Sequence, residues 1–400
     1  MKAFVTFLLA CSLGAILLSG GCEQKFDTSV LPNPGAPKPL GDTNYVEILP
    51  PFAGFEEPEQ VMVGRDQLLY ITDPGSNELV MMDAGGRILY RRHFLHPHAI
   101  AQNSKLDLYL SAETIAPNGV DTLGAIFRIY LVRFDTTYIS RYDTTINTGT
   151  GDTTITPVVR DTSTFYYHDL VNAPARVVWQ DPARPNRRYT GIGMFPEDDY
   201  LVTRAGPDNS SVYDPDCRIM YFSRTDVFIT PLTDLATRPS GGNGITDIRN
   251  LTGVLTFPSS RDFIVIQNHE GIAYGAIWMI YSSTNDFQGW VPRFDPSNPD
   301  QRGIDFIVPG RFVNPTGIAY DKRRREIFIV DNQLDSVTKF DRNGFFRTES
   351  FGKVKARIPE FRDLTSPSGV AFSSDCTLYL ADTGNKVIRR FRISTQTICN

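Results

Sequence analysis

Over most of its length the chain alternates apolar and polar side chains, as in VTKFD and VIRRFRI, and no long segment carries apolar residues at helical spacing. A period of two predicts strands with one face buried. Residues 315–341, PTGIAYDKRRREIFIVDNQLDSVTKFD, show the local plan: two short apolar runs, an Asp, a polar turn and a third run. Strands of that length between turn-forming residues predict an all-β chain. Two segments depart from it. Residues 1–22 hold a Lys at position 2 and an apolar stretch from Ala3 to Leu18, and residues 32–39 hold four prolines.

The plan repeats. Residues 367–392, PSGVAFSSDCTLYLADTGNKVIRRFR, are a near copy of the stretch from 315, and looser copies begin at 58, 97, 189 and 251. The shorter spacings fall near the roughly 40–50 residues of a propeller blade. Six such units predict a six-bladed β-propeller over residues 44–400. The longer spacings hold insertions. One of them, at about 135–170, sets Thr and Tyr around NTGTG and predicts a β-hairpin standing off the propeller. The sixth unit ends after its third strand. Residues 44–51, NYVEILPP, are therefore predicted to supply the fourth, closing the ring and covering an open sheet edge.

The last two units resemble NHL repeats, through PTGIAYD with IFIVDN and PSGVAF with LYLADTGNKVIRRF; PEQVMV with LYITDPGSNELVMMD is similar more loosely. The resemblance covers most of residues 45–394 and implies an NHL-like six-bladed propeller. It says little about activity, because the family includes binding scaffolds as well as a few enzymes.

The N-terminal segment has the shape of a secretory signal over residues 1–21, and Ser19-Gly20-Gly21-Cys22 resembles a bacterial lipobox. Cys22 is then the acylated residue, and the Ser three positions before it stands where a Leu is usual. Residues 22–43, rich in proline, predict an extended tether. The expected address is the bacterial cell envelope, with a lipid anchor in a membrane and the propeller outside the cytoplasm. In an exported chain Cys376 and Cys399 are placed to clasp the last hairpin, which leaves Cys217 as a buried thiol.

A net charge of −5, with both signs spread along the chain, carries no electrostatic footprint for nucleic acid. No nucleophile elbow and no glycine-rich phosphate loop is present. Candidate residues therefore come from breaks in the repeat. The position after the first Pro of each unit reads Glu59, His98, Thr190, Thr252, Thr316 and Ser368, and Glu59 and His98 depart from the hydroxyls. The ends of the second strands read Asp73, Glu113, Arg204, Asn268, Asp331 and Asp382. The three Asp residues are expected to be turn corners; Arg204, Asn268, His269 and Glu270 break the repeat and are candidate binding residues at the channel mouth. The basic run 322–325 is expected to be a solvated tip on the opposite face.

Two functions follow as expectations. The favoured one is a non-enzymatic binding or assembly scaffold for an envelope protein or glycan, with no catalytic residue and no cofactor. The alternative is a lyase or lactonase, similar to the peptide-amidating lyases, with a divalent metal (zinc or calcium) held by His98, His269 and either Glu59 or Glu270.

Overall fold

The uninterrupted apolar runs become strands buried from end to end: Leu69–Asp73, Tyr200–Ala205, Phe263–Gln267, Glu326–Asp331 and Leu378–Asp382. Each is the second strand of a four-stranded antiparallel sheet, with a strand on either side and neighbouring packing on both faces. The first strand of blade five alternates instead. In Pro315–Asp321 every second residue is buried, because its other face lines a central channel. The computed structural model describes residues 45–394 apart from 135–137, 162–163, 167–168, 212, 233–247, 269–273, 285, 302, 348–349 and 353–363.

Six four-stranded sheets form six blades. Blade one runs from Gln60–Val63 to Ile88–His93. Blade two starts at Ile100–Gln102 and takes its outer strand, Ala175–Gln180, from beyond the insertion. Blades three and four run from Arg188–Met194 to Phe228–Pro231 and from Leu251–Thr256 to Gln288–Pro292. Blade five runs from Pro315–Asp321 to Phe351–Gly352. Blade six consists of Pro367–Phe372, Leu378–Asp382 and Val387–Ile393, completed by Tyr45–Glu47. The N-terminal strand pairs antiparallel with the last, Tyr45 opposite Ile393 and Glu47 opposite Phe391. The expected closure is therefore present.

Each first strand also touches the first strand of the next blade, and blade six touches blade one, so the ring is continuous. The Gly of the later repeats follows from this approach. A side-chain carbon on Gly369 would sit 2.6 Å from the Glu59 carbonyl, and one on Gly317 would meet the Ser368 carbonyl. Among the described residues, the buried apolar side chains fall into six clusters, one at each junction between neighbouring blades. In the insertion, Tyr138–Ile146 and Thr153–Asp161 pair as a hairpin, with Val132–Phe134 and Thr164–Tyr166 paired at its base.

Cys376 is disulfide-bonded, while Cys217 is a buried free thiol. Cys399, Cys22 and the 1–43 segment lie outside the described residues. No helix among those described is long and apolar enough to cross a membrane.

Candidate functional site

Antiparallel order places the starts of the first strands and the turns between second and third strands on one face, here termed the upper face. At its centre the six strand-start residues form a belt. Glu59 Oε2 meets His98 Nδ1 at 2.5 Å, and the His98 imidazole donates to the Thr190 carbonyl. Thr252 donates to the Pro315 carbonyl at 2.5 Å, Thr316 to Ser368 at 3.2 Å, and Ser368 to Glu59 at 2.5 Å. Each link joins one blade to the next. Glu59 and His98 therefore do what the hydroxyls do elsewhere, with an ion pair in place of a hydroxyl donor.

Burial alone would favour the neutral form of both partners. It is outweighed: the His98 imidazolium holds the Glu59 carboxyl below its ordinary range, and the Glu59 carboxylate raises the His98 pKa.

The belt has one gap. The Thr190 hydroxyl turns back to Thr203 of its own blade, 3.1 Å away, and makes no described link to blade four at the level of the belt. Among the described residues a hydroxyl joins blades three and four only at the other end of their first strands, where Thr256 donates to the Met194 carbonyl at 2.6 Å. Beside the gap lies a hollow of about 620 Å³, lined by Asn186, Arg188, Thr190, Asn209, Asn250 and Asn268. Its wall is the loop 206–217, which two buried arginines secure. Arg187 reaches Asp181, Asp214 and Asp216 at 2.7–2.8 Å. Arg204 donates to the carbonyls of Pro215 and Asp216 and to the Asp214 carboxylate. Burial pushes the Asp214 carboxyl up, but these guanidinium bonds hold it below its ordinary value. Asn209 accepts the Cys217 amide at 2.7 Å, and the Cys217 sulfur accepts the Asn250 amide at 3.0 Å. The side chains of Asn186 and Asn250 are exposed and carry no hydrogen bond among the described residues.

The expected residues thus divide. Asn268 reaches the hollow and donates to Asn314 at 2.5 Å. Arg204 is 3 % exposed and belongs to the wall, so it offers no free guanidinium to a ligand. Glu59 and His98 form the belt. His269 and Glu270 lie outside the described residues.

The register moves two corners. Pro315 faces Asp331 and Pro367 faces Asp382, whereas Leu251 faces Gln267 rather than Asn268. In blade two Ser111 bonds the Ala99 amide as Thr72 bonds that of Gln60, which puts Ala112, not Glu113, at the corner. The corners themselves are structural. Asp73 accepts the amides of Glu56 and Glu57, and Asp331 those of Val313, Asn314, Gln333 and Leu334. Asp382 accepts the Thr365 amide, and Gln267 does the same for Arg249. Each corner pins the loop that leads into its own blade.

Asn186, Asn209 and Asn250 were not legible as site residues. They sit in connections that carry no repeat signal, and only Asn250, directly before a first strand, had a definable position.

Among the described residues no group of three His, Cys, Asp or Glu could hold a metal. His98 is engaged by the Glu59 carboxylate at Nδ1 and by the Thr190 carbonyl.

Neither a family model nor a curated protein sequence matches the chain. Solved structures do. A luciferin-regenerating enzyme is 12 % identical with a TM-score of 0.52, covering 88 % of this chain and 95 % of its own. The PQQ-bound aldose sugar dehydrogenase of Streptomyces coelicolor is also 12 % identical, with a TM-score of 0.50 over 88 % and 99 %. An auxiliary nutrient binding protein of Bacteroides thetaiotaomicron is 10 % identical, with a TM-score of 0.49 over 85 % and 70 %. At these identities the first two show a shared propeller fold and nothing about activity.

Proposed function

We propose that this protein is a non-enzymatic binding or assembly scaffold, displayed at a bacterial cell envelope through a lipid on Cys22 and the 22–43 tether. Its NHL-like propeller offers the upper-face hollow to a protein or glycan partner. One observation carries the reading. Glu59 and His98, the described titratable groups of the belt, are engaged in blade-to-blade links, while uncommitted amides of Asn186 and Asn250 line the hollow. Amides donate and accept without changing charge, which suits recognition of hydroxyls and peptide groups rather than proton transfer. Proteins enriched from envelope extract on the immobilised chain, and glycans retained from an envelope digest, test this. An Asn186→Ala, Asn250→Ala double variant is expected to lose the partner and keep its melting temperature; retention of every partner would sink the reading. Stoichiometric zinc or calcium, lost in His98→Ala, would instead favour a metal-dependent lyase or lactonase.

A further inference from the structure

The basic run 322–325 is the solvated turn expected between the first two strands of blade five, and its exposed first residue also edges the channel. Lys322 lines the central channel at its lower end, where the first strands finish, and Arg65 lines the same end from blade one. Only blade six stands between them. The channel has a volume of about 330 Å³, and its middle is walled by apolar residues such as Val61, Ile192, Val254 and Ile318.

Both cations are exposed at this mouth, and among the described residues lining the channel no carboxylate faces them. Neither Arg65 nor Lys322 makes an ion pair or a side-chain hydrogen bond among the described residues. The carboxylates next to them in sequence are held elsewhere. Asp66 accepts from Tyr70 at 2.7 Å, from Gln102 at 3.2 Å and from the Leu68 amide. Asp321 accepts the amides of Arg323 and Arg324 and the Arg324 guanidinium. Burial, with the nearby Arg65 charge adding to it, pushes the Lys322 ammonium below its ordinary pKa. Unpaired like charges facing one cavity are unfavourable without a ligand, and an anion between them removes that penalty.

We propose that the lower mouth of the channel is a binding site for a phosphate group, taken by Arg65 through its planar fork and by Lys322 as a point charge. It is separate from the upper-face hollow and does not depend on the scaffold reading.

The test uses the full chain in detergent. Inorganic phosphate is titrated against chloride at matched ionic strength, with calorimetry and thermal melting as readouts. The parent is expected to bind phosphate and to melt higher in its presence. An Arg65→Gln, Lys322→Gln double variant should melt in chloride no lower than the parent, since neither side chain has a partner to lose and their mutual repulsion is removed. Its phosphate affinity should fall by roughly tenfold or more, the effect of losing charge-assisted bonds. Lys322→Arg should retain binding, and Lys105→Gln, on a neighbouring lower-face turn, should be neutral. Phosphatidylglycerol vesicles that displace inorganic phosphate would identify a lipid headgroup as the source; failure to displace it would identify a soluble phosphate compound. A parent that shows no phosphate-dependent shift, or a double variant that keeps one, overturns the proposal.

Discussion

Glu59 and His98 mark the difference between an unusual residue and a functional one. Their pair replaces a hydroxyl in a belt that joins blades, so its pH dependence should appear in stability. The folded His98 pKa lies above 6.5, so its contribution is complete below that pH and fades as pH rises through the folded value. The folded Glu59 pKa lies below 4.5, so its contribution is present above that pH and fades as pH falls. The pair is therefore strongest between 4.5 and 6.5. Glu59→Gln should lower the melting temperature most in that window, by a few degrees for about 1 kcal/mol. The deficit should shrink by alkaline pH; a deficit independent of pH would contradict the pairing. Asp331 poses a larger test. Fully buried and bonded to four backbone amides, it should cost about 3 kcal/mol when changed to Ala, read from the urea midpoint.

Two strand elements behave oppositely. Tyr45–Glu47 is only three residues long, yet Tyr45 is buried against Phe328 and Phe351 of blade five, and Glu47 meets Arg389 at 3.1 Å. Tyr45→Ala should destabilise by about 3–5 kcal/mol through the cavity it leaves. Removing residues 44–50 should lower the melting temperature by many degrees, and an unchanged curve would argue against closure by this strand. The hairpin is the reverse case. Tyr142, Ile146 and Ile155 share one of its faces and are each 62 % exposed, so the propeller core does not need them. Deleting residues 136–165 should leave the melting curve within a degree or two of the parent, because no buried cluster is touched. If the hairpin docks an envelope partner, the same deletion removes it from pull-downs.

A ring of blades in which each core is shared by two neighbours has no blade that can unfold without opening two junctions. The whole propeller should therefore unfold in one step. The three tryptophans, Trp179, Trp278 and Trp290, lie in blades two and four, while circular dichroism reports on all six. Urea transitions followed by the two signals should coincide. A fluorescence midpoint well apart from the dichroism midpoint would show that the seam or the loops open separately.

Local rules were enough for the all-β class, the six units, the closing strand and the role of Asp73, Asp331 and Asp382. Period-two burial, close-packed glycines and Asp corners each express a constraint on a few neighbouring residues. The same rules placed blades two and four one residue out of register at the corner, because Ala112 and Gln267 do not look like Asp. They also made Arg204 a binding candidate, although it is buried against a loop ten to twelve residues further along. The hollow depends on where the 206–217 loop, Asn186 and the loops of blade four meet, and the lower mouth on bringing Arg65 and Lys322 from blades one and five to one channel. Those neighbours are chosen by ring closure and core packing over long stretches of chain, a global balance that no short pattern of residues encodes.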